Sequence, residues 1–262
     1  MTTLSATAYG ERQRRTAELR EQWPFAVEVL TLYAALLPIQ ERAYGEALEA
    51  RLGGLDEVPG FCAERVMPAV LEATVAAGPE RLVVAAQSLL YGDDLGAFVA
   101  RWLSGDELDP VMAYFGRAAT QPVLEALAER GALSGGGDGL RHCPACGGLP
   151  QLAYHGLSDD PLLTAPRRLV CSRCSTEWAY PRMVCAGCGE TDTGKLEIYS
   201  DSERFPHLRV DACATCSRYL LTVELTKVPA AVPVIDELAA LPLSLYAHDR
   251  GFKKIVANLA GL

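Results

Sequence analysis

Eight of the nine cysteines form four C-x-x-C pairs in the second half of the chain, and this pattern carries the clearest chemistry. The pairs are separated by 24, 10 and 24 residues, so the last four cysteines repeat the first four after a shift of 42 residues. This regular spacing indicates an internal duplication of one unit, C-x-x-C-x24-C-x-x-C. We call each C-x-x-C loop a knuckle.

Two knuckles can place four thiolates around one metal ion, in the closed tetrahedral geometry that zinc and rubredoxin-type iron prefer. We therefore predict two ions, iron or zinc, each bound by four thiolates. The regular duplication favours sequential pairing of the knuckles, and an interleaved pairing of the first with the third is the alternative. The predicted metal ligands are Cys143, Cys146, Cys171 and Cys174 for one site, and Cys185, Cys188, Cys213 and Cys216 for the other.

Four thiolates leave no open coordination position, which argues against a Lewis-acid catalytic role. The sequence contains no hydrolase triad, no dinucleotide fingerprint and no Walker motif, so we predict no catalytic and no cofactor-binding residue. His155, His207 and His248 show no paired spacing with a carboxylate or a serine. His142, beside Cys143, is either a hydrogen-bond donor to a thiolate or an exposed loop residue. We predict that the chain is not an enzyme.

Other uses of cysteine fit the pattern less well. A disulfide framework requires export, and charged residues from Glu11 to Arg15 precede any hydrophobic stretch, which is unlike a secretory signal. A thioredoxin-like redox motif occurs once beside a βαβ unit, not four times in register. We expect the ninth cysteine, Cys62, to be a small buried apolar residue rather than a ligand.

The elements that position the knuckles change character along the chain. Apolar residues at intervals of three and four predict about six helices over residues 8–130, with Pro24 and Pro110 at first helical positions. The Gly-rich run Gly131–Gly139 is interpreted as a hinge. Five short β-type runs follow, and helix is expected to return from residue 233 onward. The runs cover residues 168–170, 177–180, 196–199, 208–210 and 219–223.

Charge separates the two halves as well. The net charge is −9, and residues 1–138 contain 11 Arg, no Lys and 20 Asp plus Glu, so the whole excess lies there. Such a surface would repel a phosphate backbone, and it suits either a basic protein partner or simple solubility. No apolar run approaches the 18 or so residues that a membrane span needs. We therefore expect no nucleic-acid partner and no membrane insertion.

Residues 139–228 resemble the formate dehydrogenase accessory protein family (FdhE). The knuckles carry the resemblance together with the residues around them, although Ser175 stands where a glycine is common. Motifs near both ends of the chain also fit. The matching segments are residues 168–178, 182–189, 213–220, 236–241, 251–254 and 32–36.

The resemblance implies an α+β fold, with an all-helical N-terminal domain followed by two tandem rubredoxin-like four-cysteine metal ribbons and a short C-terminal helical tail. The predicted boundaries are 1–138 for the helical domain with its linker, 139–182 and 183–228 for the two ribbons, and 229–262 for the tail.

The resemblance also implies a cytoplasmic accessory protein that contacts the molybdenum- or tungsten-containing catalytic subunit of formate dehydrogenase during maturation. Two alternatives remain from the residues alone. One is a zinc-ribbon protein that binds nucleic acid, and the other is a rubredoxin-type electron carrier.

Overall fold

The computed structural model describes residues 6–92, 94–106, 108–136, 140–157 and 166–262. The chain forms two compact units. One ends at Ser134 and also takes in Leu259–Gly261, and the other runs from Gly135 to Asn258 and includes Leu262. The α+β class with a helical N-terminal region is confirmed. The boundaries of the individual ribbons stay predictions, and residues 137–139 of the Gly-rich run lie outside the described residues.

The first unit is built from helices, as the apolar spacing predicts. Helix α2 packs against both α1 and α7. The apolar spacing did not predict the short helix α6. Asp94 caps its first turn, because the Asp94 side chain accepts a hydrogen bond from the Ala97 amide at 3.0 Å. A π-helical turn, Cys62–Val66, joins α3 to α4. The helices are α1 (Ala6–Gln22), α2 (Val27–Ala50), α3 (Val58–Phe61), α4 (Met67–Ala77), α5 (Glu80–Gly92), α6 (Leu95–Ser104) and α7 (Pro110–Glu129).

None of the helices in the described ranges is long and apolar enough to cross a membrane.

A buried ion pair ties α1 to α7. Arg12 Nη2 lies 3.1 Å from Glu125 Oε1, and the two side chains are 5% and 1% exposed. The Tyr9 hydroxyl donates to the same carboxylate at 2.8 Å. Burial, together with this negative charge, raises the pKa of Tyr9 well above its ordinary value. Each buried charge is therefore compensated by the other, and removal of one partner would leave an uncompensated charge in the core.

The second unit contains one mixed sheet. Six of its strands lie in the order β3-β2-β1-β6-β5-β4, and the short β7 also pairs with β6. All five predicted β runs are strands, and β1 and β7 are additional. The strands are β1 (Pro150–His155), β2 (Arg167–Cys171), β3 (Glu177–Tyr180), β4 (Leu196–Ser200), β5 (Leu208–Cys213), β6 (Arg218–Glu224) and β7 (Lys253–Lys254).

The duplication is visible in the sheet. Strands β1, β2 and β3 pair antiparallel in sequence order, and β4, β5 and β6 do the same. The first strand of one copy then pairs in parallel with the last strand of the other, with Ala153 opposite Thr222. The two ribbons therefore share one continuous sheet, a connection that cysteine spacing does not predict.

Two helices, α8 (Pro233–Ala239) and α9 (Leu241–Asp249), cover one face of this sheet. Helix α8 packs on β1 and β6, and α9 packs on β5. Asp236 of α8 is fully buried and lies 2.7 Å from His207 Nε2. Its other oxygen accepts from the Val232 amide at 2.8 Å, which fixes the start of the helix. The sequence spacing of His207 did not indicate this partner, because the fold brings together groups that are 29 residues apart.

The next residue, Glu237, is a second buried anchor. Its carboxylate pairs with Lys254 of β7 and accepts from Asn258 Nδ2 at 3.1 Å. Gln151 of β1 approaches the same oxygen at 3.4 Å. These contacts join α8, β1, β7 and the chain end. Glu237 and Lys254, which lie in two of the segments that carry the family resemblance, are thus in direct contact.

We expect Glu125→Gln to lower the free energy of unfolding by about 3 kcal/mol, because it leaves the buried Arg12 guanidinium without its counter-charge. Denaturant unfolding of the purified chain measures the change. Arg42→Gln is the control, since it removes a pair with Glu46 whose side chains are 55% and 34% exposed. That change should cost less than about 1 kcal/mol. Equal effects of the two substitutions would contradict the role of the buried pair.

Candidate metal centres

The first four-cysteine cluster is formed by the first and second knuckles. The Sγ atom of Cys143 lies 3.6 Å from that of Cys174, and Cys146 Sγ lies 3.4 Å from the Sγ atoms of both Cys171 and Cys174. The first knuckle precedes β1, and the second lies in the turn between β2 and β3. Pairing of these strands therefore delivers the two knuckles to the same end of the ribbon.

The second cluster repeats this arrangement. Cys185 Sγ lies 3.8 Å from Cys216 Sγ, and Cys188 Sγ lies 3.8 Å from Cys213 Sγ. In each cluster, all four sulfur atoms lie within 4.8 Å of one another. The structure thus groups the cysteines sequentially and not in the interleaved alternative.

Both clusters have dimensions that suit a metal ion. Metal–sulfur bonds of about 2.3 Å in a regular tetrahedron place the sulfurs about 3.8 Å apart. Two sulfur pairs of the second cluster have this spacing, and three pairs of the first cluster are slightly closer. The donor set is sulfur alone, which selects zinc or iron over magnesium or calcium. The residues therefore fit the group that the sequence predicts.

Backbone amides point at the sulfurs within the knuckles. The amides of Ala145, Arg173 and Gly187 lie 3.4, 3.3 and 3.3 Å from the Sγ atoms of the first cysteine of their own knuckles. Such hydrogen bonds stabilise thiolates rather than thiols. The knuckles are therefore arranged for charged sulfur.

Every knuckle is followed by one residue with left-handed backbone. Gly147 and Gly189 have φ of 72° and 84°, and Ser175 and Ser217 have φ of 54° and 53°. The turn is closed by the Gly147 amide bonding to the Cys143 carbonyl at 2.9 Å, and by the same contact at Gly189. The departure at Ser175 thus keeps the conformation that a glycine would supply.

The thiols of one cluster oppose each other's ionisation. Hydrogen bonds from the neighbouring thiols lower the pKa of Cys143 far below its ordinary value. The same bonds raise the pKa of Cys171 and Cys174 well above it. The hydrogen bond from Cys143 raises the pKa of Cys146, but those from Cys171 and Cys174 outweigh it, so this pKa is lowered as well. Part of the cluster therefore ionises readily, whereas four thiolates require a cation between them.

Contacts around the clusters join the two ribbons. The Tyr180 hydroxyl of the first ribbon donates to the Cys185 carbonyl at 2.9 Å, and Arg141 Nη1 donates to the Gly187 carbonyl at 3.2 Å.

Outside the clusters, Cys62 is fully buried, as expected, and burial raises its pKa to about 12. His142 is half-buried.

Comparisons with known proteins agree with this geometry. Residues 183–260 match the family described as FdhE, C-terminal domain. The chain is 27% identical over 165 residues to a protein FdhE homolog from Aquifex aeolicus, and 34% identical over 121 residues to one from Haemophilus influenzae. These stretches are 63% and 46% of this chain, and they span 57% and 38% of the two relatives.

One solved structure extends the similarity to the helical half. The FdhE protein from Pseudomonas aeruginosa matches with a TM-score of 0.71 at 25% sequence identity. The match covers 98% of this chain and 96% of the other. The resemblance inferred from the knuckles and the terminal motifs is therefore confirmed.

We expect Gly189→Ala to lower the free energy of unfolding of the metal-loaded chain by about 1 kcal/mol, because an L side chain is disfavoured at positive φ. A Cβ there would come no closer than 3.7 Å to Arg141, so steric crowding adds nothing. Ser217→Gly, at an exposed position of the same conformation, should raise stability by about 0.5 kcal/mol. Calorimetry measures both changes, and shifts of the same sign would rule out backbone conformation as their cause.

Proposed function

We propose that this member of the FdhE family is a cytoplasmic accessory protein required for maturation of formate dehydrogenase, and that it binds the catalytic subunit of that enzyme. The observation that carries the proposal is the pair of four-cysteine clusters on one shared sheet, within a fold similar to that of an FdhE protein over almost the whole chain.

Each cluster is proposed to hold one iron or zinc ion through four thiolates. When bound, the ion would supply metal–sulfur bonds that fasten the knuckles to each other. Because all four donors come from the protein, the site offers no position for a substrate. We therefore propose a non-catalytic role, in which the metal maintains the surface that a partner contacts.

The helical unit supports recognition of a protein rather than of nucleic acid. Nearly all of the acidic excess of the chain lies in it, and an acidic surface selects partners with basic patches. The catalytic subunit is the partner that the family resemblance implies. Localisation in the cytoplasm is part of the same proposal, since all nine cysteines are free and the cytosol keeps thiols reduced.

The nucleic-acid alternative is weakened by the state of the ribbon arginines. Arg167 is buried and pairs with Asp211 at 3.1 Å, and Arg209 pairs with Asp211 at 2.8 Å and Glu224 at 2.6 Å. These cations are neutralised within the sheet rather than presented to a phosphate backbone.

The electron-carrier alternative would need bound iron that is reversibly reduced.

An anaerobic pull-down of the tagged chain from its native host, followed by mass spectrometry, tests the proposed partner. We expect enrichment of a formate dehydrogenase catalytic subunit. The Cys143→Ala/Cys146→Ala double variant should lose this enrichment, because two thiolates cannot close the first cluster.

Cys62→Ala is the matched control, since it removes a buried cysteine outside both clusters and should retain the partner. Absence of the catalytic subunit from the wild-type eluate, although it is present in the lysate, would contradict the proposal. If the double variant still enriches the catalytic subunit, partner binding does not depend on the first cluster.

A further inference from the structure

Strand β4 is an outer strand of the sheet. It pairs with β5 along one side, and no strand of the described ranges pairs with its other side. Ile198, at its centre, is 58% exposed. Proteins usually block such an edge with a proline, a bulge or a covering segment. Strand β4 contains no proline, and its register with β5 runs without a shift. The edge is therefore able to accept a further strand.

The backbone groups of β4 alternate between its two sides. The Ala214 amide donates to the Lys195 carbonyl at 2.9 Å, and these two residues continue the register of β4 with β5 by one position. In an antiparallel pair, residues that exchange backbone hydrogen bonds alternate with residues that do not. Glu197 and Tyr199 therefore bond to β5, whereas Ile198 directs its amide and carbonyl groups to the open edge.

Leu196 and Ser200 lie two residues to either side of Ile198 and face the edge in the same way. The Leu196 amide is already used, because it donates to the Thr193 carbonyl at the end of a short 3₁₀ turn. Within the described ranges, no residue bonds to the Leu196 carbonyl or to either backbone group of Ile198. The edge thus offers a defined set of free donors and acceptors.

Two copies of β4 match each other along this edge. A two-fold axis at Ile198 places each Ile198 opposite the other, and places Leu196 opposite Ser200 of the second copy. The two Ile198 residues then exchange their amide and carbonyl groups, and each Ser200 amide meets the Leu196 carbonyl of the other copy. This pairing does not need the occupied Leu196 amide. A surface that matches itself about a two-fold axis forms a closed dimer.

The side chains are also complementary in this register. Glu197 faces Tyr199 of the other copy, whose hydroxyl is a donor that already bonds to a Glu197 carboxylate within one strand. The exposed Lys195 faces Asp201 of the other copy, so opposite charges meet on both sides of the axis. Asp201 pairs with Arg204 of its own chain, but that pair is exposed, and a carboxylate accepts from more than one donor.

Other registers fit less well. A shift of the axis by two residues toward the chain end places Glu197 opposite Glu203, and like charges directly opposite each other are destabilising. A shift by two residues in the other direction requires the occupied Leu196 amide and runs into the 3₁₀ turn. The free backbone groups and the charges therefore favour the register centred on Ile198.

We propose that the open edge of β4 is a dimer interface, at which a second copy of this chain continues the sheet across a two-fold axis at Ile198. The second copy is the occupant because the backbone donors and acceptors, the charges and the exposed Ile198 of one edge all match those of the same edge. Addition of a strand to a free sheet edge gains its affinity from main-chain hydrogen bonds. The inference does not depend on the partner proposed above.

Sedimentation of the zinc-loaded full chain over a series of concentrations measures the dissociation constant of the dimer. Ile198→Lys places two like charges opposite each other at the axis and should weaken the dimer at least about tenfold. Val84→Lys is the matched control, because Val84 of α5 is an equally exposed β-branched residue outside the sheet unit. This control should leave the dissociation constant unchanged.

A charge exchange tests the register. Lys195→Glu should weaken the dimer at least about threefold, because it replaces two oppositely charged contacts with two repulsive ones. The double variant Lys195→Glu/Asp201→Lys brings opposite charges together again and should recover most of the lost affinity. Recovery by the second substitution would not occur if the copies met through another surface.

Amide hydrogen exchange, followed by NMR, locates the interface directly. The Ile198 and Ser200 amides should exchange fast in dilute solution and slowly in concentrated solution, whereas the Glu197 and Tyr199 amides should be protected in both.

The proposal is overturned if the chain stays monomeric at the concentrations used for NMR, which would leave the edge to a strand of another polypeptide. It is also overturned if a dimer forms that tolerates Ile198→Lys, or if dimer formation does not slow exchange of the Ile198 amide.

Discussion

The confinement of four cysteine sulfurs within 4.8 Å of one another is the constraint on which the sheet unit depends. Knuckles that carry amides aimed at sulfur favour thiolates, but four thiolates at this distance repel one another strongly. A metal ion bound between them would remove that conflict and would cross-link two knuckles that strand pairing brings to the same end of the ribbon. Small ribbons bury little apolar surface, so closure around a metal ion would contribute much of their stability.

Duplication extends the same constraint across the sheet. The parallel pairing of β1 with β6 makes the two ribbons neighbours, and the Tyr180 hydroxyl bonds to the Cys185 carbonyl of the second knuckle set. Buried acids of α8 then fix the helix on one face. Asp236 engages His207, and Glu237 engages Lys254. The opposite face carries Arg167 and Arg209, which both pair with Asp211.

Cysteine spacing was sufficient to predict both clusters and their sequential grouping. Two cysteines that bind one ion from the same loop need the short C-x-x-C spacing, and the 42-residue repeat indicates which loops belong together. Strands beside the knuckles were also predictable from β-branched and aromatic runs. Strand β1 was missed because it begins with a proline and shows little periodicity, and α6 because it is short. The contacts of His207 with Asp236 and of Arg209 with His155 join residues far apart in the chain, so no local sequence pattern predicts them.

X-ray absorption at the zinc and iron edges, combined with metal content per chain, tests metal closure most directly. The expected result is two ions per chain, each with four sulfur ligands at about 2.3 Å. The Cys143→Ala/Cys146→Ala double variant should retain one ion, in the second cluster. Fewer than two ions in the unsubstituted chain, nitrogen or oxygen ligands at either site, or two ions in the double variant would contradict the two-site assignment.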